Sequence, residues 1–535
     1  MRVVPAPALV FPGAAAWSWV AVALALALVA CSTPTDAATA DAVGSCPTDT
    51  VACDGKCLTA CELAAERKLE WGCLCLDPTE PVPPQLPSVG QRLGISVVLP
   101  SGSSPKVAAL RAFIADELVK IGVRVVRTDL RWDDIEPQPG QFQWQEADQT
   151  VQELTSRGLR VIGLLAYGNP WASVLGNANS DPYYPPDDPQ DFAKFAAAVA
   201  ARYQGTVTDW EIWNEQNAGW RFWKNPASMS GVPKDYAALL KATHTAIHAV
   251  APAAVVSFGG LFYLPQAILG AEEFATQAFA AVPDPGASFE TFSYHPYSAY
   301  PPRDPPEFAA PAGKGNPERY AIDDTARRLD QLLFEHTGTK KPLWITELGW
   351  PTEAAISELD HARFLVRAWV LALSVNVEVL CWYTFMDHPP ESESVLWEKV
   401  FGLYRYDGDV LDGTVPQPKP AAIAHRSLAH FLGNLGWSAD ESTRSTARRQ
   451  HAFASADLSR AVHVAWDETV PEGQTVAAWF PARPNWTYRL ALSTDPPPAD
   501  DLTLPVLQPD AEGRLQLQVG RTPVYVVGVR QVSRN

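Results

Sequence analysis

Asp209-Trp210-Glu211-Ile212-Trp213-Asn214-Glu215 is a short apolar and aromatic run that ends on a carboxylate. The helical pattern Pro189–Tyr203 precedes it and Asp235–Ala251 follows it. A short buried strand between two helices is the repeating unit of a parallel sheet. Working outwards, the other strand candidates are Leu93–Leu99, Val123–Leu130, Arg160–Tyr167, Val255–Phe262, Phe289–His295, Leu343–Glu347 and Val377–Phe385, with the central one taken as Val207–Trp213. The remaining helical patterns are Lys106–Ile121, Glu146–Arg157, Gln266–Ala281, Asp323–His336, Glu358–Ser374 and Pro420–Leu432. Eight βα units over about 340 residues predict an α/β chain folded as a (β/α)8 TIM barrel. A doubly wound open sheet is the alternative, but it usually has fewer strands, and no G-x-G-x-x-G follows the first strand.

Beyond Gly436 the period changes. Ala461–Trp466, Thr475–Phe480, Tyr488–Leu492, Arg514–Val519 and Pro523–Val529 alternate with turn-rich stretches, which predicts an antiparallel β-sandwich of about 95 residues. The expected organisation is a signal segment at 1–30, a tether at 31–45, a Cys-rich module at 46–76 and a Pro-rich spacer at 77–89. The barrel follows at 90–436 and the sandwich at 437–535.

The 535 residues carry 42 Lys and Arg against 60 Asp and Glu, so the net charge is 42 − 60 = −18. With 47% hydrophobic and 19% charged residues, the composition excludes a mainly disordered chain. The negative balance argues against nucleic acid or anionic lipid as a partner and suits a neutral substrate.

Arg2 is the only early charge, and Trp17 to Ala30 is apolar apart from Ser18. The run is too short to span a membrane and suits the h-region of an export signal. It ends in Leu28-Val29-Ala30-Cys31, which resembles a bacterial lipobox. The resemblance implies that Cys31 is lipidated and that the exported protein is anchored in the cell envelope. Ser32, in place of Asp, implies the outer membrane. Cys46, Cys53, Cys57, Cys61, Cys73 and Cys75 crowd together downstream and read as three disulfides, with 15 possible pairings. Zinc is disfavoured there, because residues 46–75 contain no His and lack paired C-x2-C knuckles.

The chemistry is expected where barrel strands end at their C-terminal face. Glu215 ends the fourth strand and Glu347, in Leu343-Trp344-Ile345-Thr346-Glu347-Leu348-Gly349-Trp350, ends the seventh. A strand end among Trp and Ile is a costly place for an unneeded charge. Two such carboxylates facing one cavity can divide acid and nucleophile roles. Either Glu alone could cap a helix or pair with an Arg; the shared barrel register weakens that reading. Glu211 lies deeper in the fourth strand, where a structural ion pair is the expected role.

Trp213-Asn214-Glu215 and Ile345-Thr346-Glu347 resemble the two signatures of clan A retaining β-glycosidases, nearest to families 39 and 5. Arg127-Thr128-Asp129-Leu130-Arg131-Trp132, Ile135-Glu136-Pro137, Gly140 and Trp144 are similar to the same clan. Gln216 stands where family 39 commonly has Pro. The resemblance implies hydrolysis of β-glycosidic bonds in an oligo- or polysaccharide, with Glu215 as acid/base and Glu347 as nucleophile. It also implies that Asn214 binds the sugar 2-hydroxyl and that His295 and Tyr297 lie beside the nucleophile. Trp382 would stack on sugar, and Arg127 would orient Glu347 and lower its pKa.

No metal or organic cofactor is called for. His244 and His248 are an i,i+4 pair, but they lack the H-E-x-x-H Glu and read as surface or packing residues. A binding-only surface lipoprotein and a transglycosylase are the rival functions; the presence of both Glu counts against the first. Long loops at 168–188, 216–234, 296–323 and 386–419 carry Trp171, Trp220, Trp223, Tyr297, Tyr300 and Trp397, candidates for sugar stacking.

Overall fold

The computed structural model describes residues 50–53, 56–59 and 88–531, apart from 220, 225–230, 264–268, 298–303, 308–320, 354, 376, 390–395, 407–413 and 443–447. Residues 1–80 and 81–535 are separate units. Within the first, Thr50–Cys53 and Lys56–Thr59 pair as an antiparallel hairpin that carries Cys53 and Cys57. Cys31, Cys46, Cys61, Cys73 and Cys75 lie outside the described residues.

The second unit opens with a closed parallel barrel of eight strands in sequence order. They are β1 (Leu93–Ser96), β2 (Val125–Arg131), β3 (Arg160–Ala166), β4 (Asp209–Asn214), β5 (Val255–Phe262), β6 (Thr291–His295), β7 (Leu343–Leu348) and β8 (Val377–Tyr383). The helices are α1 (Pro105–Lys120), α2 (Gln145–Thr155), α3 (Pro189–Arg202), α4 (Val232–Val250), α5 (Ala271–Ala280), α6 (Ile322–Thr337), α7 (Glu358–Leu373) and α8 (Pro420–Leu432). Local chemistry marks their starts. Ser104, Asp188 and Ser357 each accept a backbone N–H at the first turn of α1, α3 and α7, and Pro opens α1 and α3.

Val125, Ile162, Trp344, Val379 and Cys381 form one buried cluster. They come from β2, β3, β7 and β8, and since β3 and β7 are not neighbours, the cluster lies inside the barrel. The larger core lies between strands and helices. Val89, assigned to the spacer from sequence, instead begins a four-residue helix, Val89–Arg92, and is fully buried. Its N–H bonds to Leu435 O at 3.0 Å, closing the chain against the end of α8.

The terminal region holds β9 (Gly436–Asp440), β10 (Arg448–Ala454), β11 (Arg460–Asp467), β12 (Val476–Pro481), β13 (Trp486–Leu492), β14 (Val506–Leu507), β15 (Arg514–Val519) and β16 (Val524–Arg530). A six-stranded sheet in the order β9-β10-β11-β16-β13-β14 accompanies a β12-β15 pair. Ala465, Ala478, Phe480, Leu515, Leu517 and Val526 share the core between them. Sequence reading missed β9, β10 and the two-residue β14; in β10 the polar Arg448-Arg449-Gln450-His451 hides the strand. Arg363 on α7 ties this region to the barrel, bonding Glu472 at 2.7 and 2.8 Å and Thr522 at 2.8 Å. No helix among the described residues is long and apolar enough to cross a membrane.

Candidate active site

A cavity of about 680 Å³ opens at the C-terminal ends of the strands. Arg127, Asp129, Asn214, Glu215, Tyr297, Glu347 and Tyr383 line its floor, as expected for a barrel site. Three devices bring the polar groups there.

The first is in β4. Strict alternation would turn Glu211 and Asn214, three residues apart, to opposite faces. Trp213 between them adopts φ +69°, and Glu215 adopts φ +48°. This left-handed step, costly for non-glycine residues, lets Glu211, Asn214 and Glu215 all face inward while Trp213 turns out. The Trp213 indole N–H donates to Phe222 O at 2.8 Å. Two glycines on β5 make room: a Cβ on Gly259 would lie 2.1 Å from Ile212 O, and one on Gly260 would lie 2.2 Å from His295 Nε2.

The second device is a bulge in β7. Leu380 pairs with Ile345 and Trp382 with Leu348, so three steps of β7 face two of β8. The extra residue lets consecutive Thr346 and Glu347 both reach the interior. The third is Arg127 on β2, which is buried and forked. Its Nε donates to Glu211 Oε2 at 2.7 Å, its Nη2 to Asn214 Oδ1 at 2.7 Å and its Nη1 to Glu347 Oε2 at 3.3 Å. Glu211 is therefore ion-paired, as its sequence position predicts.

One oxygen of Glu215, one of Glu347 and a ring nitrogen of His295 lie within 4.8 Å of one another. The two carboxyl groups have different company. Glu347 receives Arg127 and the Tyr297 hydroxyl, which donates to Oε1 at 3.0 Å. Glu215 contacts His295 Nδ1 at 2.9 Å. Burial pushes the Glu215 pKa up to about 7, against the pull of Arg221 and Arg127. Burial also raises that of Glu347, with His295 and Arg127 opposing it. Arg127 thus lowers the Glu347 pKa as the sequence suggested, but desolvation outweighs it and the net direction is upward. Burial lowers His295 to about 4, leaving a neutral imidazole.

Asn214, Glu215, His295, Tyr297, Glu347 and Arg127 fall in one constellation. The stacking role for Trp382 is corrected. Its indole is fully buried against Trp350 (5.5 Å) and His361 (5.4 Å) on the helix side of β8. Cys381 and Tyr383 face inward, so alternation turns Trp382 out, and Tyr383 lines the cavity in its place. Among the loop aromatics, Tyr297 lines the cavity; Trp223 packs on Trp213 (4.8 Å) and Trp171 on Trp132 (5.3 Å). Trp220, Tyr300 and the Trp397 side chain lie outside the described residues. Sequence reading missed Tyr167, Phe222 and the Arg221–Glu398 ion pair (3.1 Å), all at the cavity wall.

Among the described residues two clusters could hold a cation. One is Glu215, His295 and Glu347, where Arg127 already supplies positive charge to Glu347. The other is His244, His248 and Glu290, with His244 Nε2 3.0 Å and His248 Nε2 3.5 Å from Glu290 Oε1. It lies at the opposite, N-terminal end of the strands, where Glu290 also accepts the Val256 N–H at 2.8 Å.

Barrel, strand-end carboxyl pair and forked Arg together define a cavity with two carboxyl groups of unequal surroundings. No family model and no curated protein matches this chain. Among solved structures it is similar to a family 39 glycoside hydrolase from the gut symbiont Bacteroides cellulosilyticus WH2. The identity is 20% and the TM-score 0.61, covering 83% of this chain and 82% of that one. A monomeric β-xylosidase from Caulobacter crescentus CB15 matches at 16% identity and TM-score 0.56, over 84% of this chain and 97% of that one. The GH39 enzyme from Xanthomonas axonopodis pv. citri matches at 17% identity and TM-score 0.55, over 83% and 95%. The chain has the barrel-plus-β-sheet fold of these glycoside hydrolases.

Proposed function

We propose that this chain is a retaining glycoside hydrolase that cleaves β-glycosidic bonds of an oligo- or polysaccharide. The observation that carries the reading is the carboxyl pair at the ends of β4 and β7, with one oxygen of each within 4.8 Å of the other. Retaining enzymes hold these groups about 5–5.5 Å apart, whereas inverting enzymes need about 6.5–9.5 Å to admit a water. Glu347, with Arg127 and Tyr297 on its oxygens, attacks the anomeric carbon. Glu215, protonated below about pH 7, gives its proton to the leaving oxygen. It then takes a proton from the water that releases the sugar from Glu347. Asn214, its carbonyl held by Arg127, presents its amide N–H to the sugar 2-hydroxyl.

The test is hydrolysis of a panel of aryl β-glycosides, including xylosides and glucosides, and of β-linked polysaccharides, with the first-formed anomer read by NMR. A β product from a β substrate is expected. No hydrolysis across the panel, or an α product, would overturn the reading.

We also propose that the protein is exported and lipid-anchored through Cys31 in the cell envelope, with the six clustered cysteines as three disulfides in a small module behind the anchor. The support is the apolar run ending in Leu28-Val29-Ala30-Cys31. Cys31→Ala should abolish labelling by a lipid precursor and release the protein from membranes; unchanged labelling refutes the anchor.

A further inference from the structure

Glu211 is a fully buried carboxylate that the two-step reaction above does not use. Its Oε2 accepts from Arg127 and its Oε1 accepts from the Gly260 N–H at 2.9 Å and the Thr346 hydroxyl at 2.8 Å. The Thr346 oxygen also lies 3.1 Å from His295 Nε2, and His295 Nδ1 lies 2.9 Å from Glu215 Oε1. Four side chains from three strands thus form one line: Glu211, Thr346, His295, Glu215.

The donors in this line are countable. A hydroxyl has one proton, and Thr346 gives it to Glu211, which can only accept. The Thr346 oxygen must then accept from His295, so the imidazole proton sits on Nε2. A neutral imidazole with its proton on Nε2 has a bare Nδ1, which can only accept. The contact with Glu215 therefore requires Glu215 to be the donor, and hence to be the acid.

We infer that Glu211 and Thr346 are positioning residues that fix the His295 tautomer and thereby keep the proton on Glu215. The inference rests on the proposed roles of Glu215 and Glu347. The alternative arrangement, with His295 Nδ1–H donating to an ionised Glu215, needs the Thr346 proton turned towards Nε2. Glu211 would then lose a charge-assisted hydrogen bond in a buried site. When Glu215 does ionise, after protonating the leaving group, a bare nitrogen faces a carboxylate. That mismatch favours recapture of a proton from the attacking water, so the line serves both steps.

The other groups around Glu215 push both ways. Arg127 on β2 and Arg221 after β4 favour its ionised form, while Glu398 after β8 and Glu211 oppose it. Arg221 and Glu398 pair with each other, and Glu347 on β7 is paired with Arg127. Gly260 is needed for the line to close: a Cβ there would lie 2.2 Å from His295 Nε2 and 2.9 Å from Glu211 Oε1.

The test compares Thr346→Val with Thr346→Ser. Valine keeps the shape but neither accepts from Nε2 nor donates to Glu211, so His295 is released to place its proton on Nδ1 and donate to Glu215. The alkaline limb of kcat/KM on an aryl glycoside with a poor leaving group should move down by about one pH unit, as expected for a hydrogen bond to the charged form. Serine restores the line and should leave the limb at its wild-type position. In parallel, 15N NMR of the wild-type full chain should show His295 protonated at Nε2 and bare at Nδ1 up to about pH 7.

A wild-type His295 protonated at Nδ1 overturns the inference whether or not the valine variant folds. A valine variant that hydrolyses substrate with an unmoved limb overturns it while leaving the glycosidase reading intact. If no glycoside is cleaved at all, that reading fails separately, and the tautomer measurement still decides whether the line exists.

Discussion

Strands β4 and β7 interrupt their side-chain alternation where they meet the cavity, whereas β8 runs regularly against β1 from Leu380 to Tyr383. The interrupted strands deliver pairs of polar residues to the interior: Asn214 with Glu215, and Thr346 with Glu347. Over that stretch β8 delivers one side chain in two, so Tyr383 enters the cavity and Trp382 goes to the helix layer. Backbone irregularity at the ends of β4 and β7 is here the means of bringing neighbouring polar residues to one face. The two interrupted ends then differ in their neighbours. The β7 carboxylate meets a guanidinium and a phenol, and the β4 carboxyl meets a neutral imidazole. Equal residues in unequal surroundings can divide acid and nucleophile roles, which is the basis of the proposed mechanism.

The sharpest way to break this comparison is to remove each carboxyl in turn. Glu347→Ala should abolish the glycosyl-enzyme and cut kcat by about 10⁴-fold or more, since no other group is placed to displace the leaving sugar. Glu215→Ala should cost about 10²–10⁴-fold on a poor leaving group. On an activated one it should retain the first step and accumulate the intermediate. Azide should then restore turnover in the Glu215 variant and yield a β-glycosyl azide, because it enters from the face that Glu215 serves. Any azide rescue of the Glu347 variant should give the α anomer. The same anomer from both variants would show that the two strand ends do not divide the roles this way.

A smaller effect distinguishes the ends by stability. Burial raises the Glu215 pKa from its ordinary value of 4.5 to about 7 in the fold. Between those values the unfolded chain ionises while the folded one stays protonated. Wild-type stability from this group is complete below about pH 4.5 and is lost as pH rises through 7. Glu215→Gln carries no charge to desolvate. Its melting temperature should match wild type near pH 4.5 and exceed it at pH 8, by roughly 3 kcal/mol of unfolding free energy. A gap that does not grow between those two pH values would refute the raised pKa.

Much of this comparison was readable in the sequence, and the unread part has a physical cause. Short apolar runs and the helical patterns between them place all eight barrel strands and helices within about five residues, because these elements are buried on predictable faces. Both Glu were found because a charge at the end of an apolar strand is expensive. The left-handed Trp213 and the β7 bulge were not read, since each depends on pairing with a neighbouring strand. The one local trace was Gly259-Gly260 inside the apolar β5 strand, a sign of close backbone approach. The bonding of Thr346 and the closeness of Gly260 were not legible for the same reason: they depend on partners from β4 and β6. Trp382 was assigned by resemblance alone, while the alternation through Cys381, Trp382 and Tyr383 already pointed the other way.

The smallest expected effect tests that last point. Tyr383 faces the cavity from β8, so Tyr383→Leu should raise KM by removing a polar aromatic wall from the sugar site. Trp382→Phe should leave KM within about twofold, because the indole touches Trp350 and His361 rather than the cavity. Its stability change is a difference of two terms. Phe is smaller, and the lost contacts in a fully buried site cost about 1–2 kcal/mol, at the mild end of large-to-small core changes. Against that, the Trp382 Nε1–H has no acceptor among the described residues, and removing such a donor recovers roughly 1 kcal/mol or more. The net shift in melting temperature should therefore be small, and kcat and KM should both stay near wild type. A large rise in KM with an unchanged melting curve would put the indole in contact with substrate and return β8 to the strands that break their alternation.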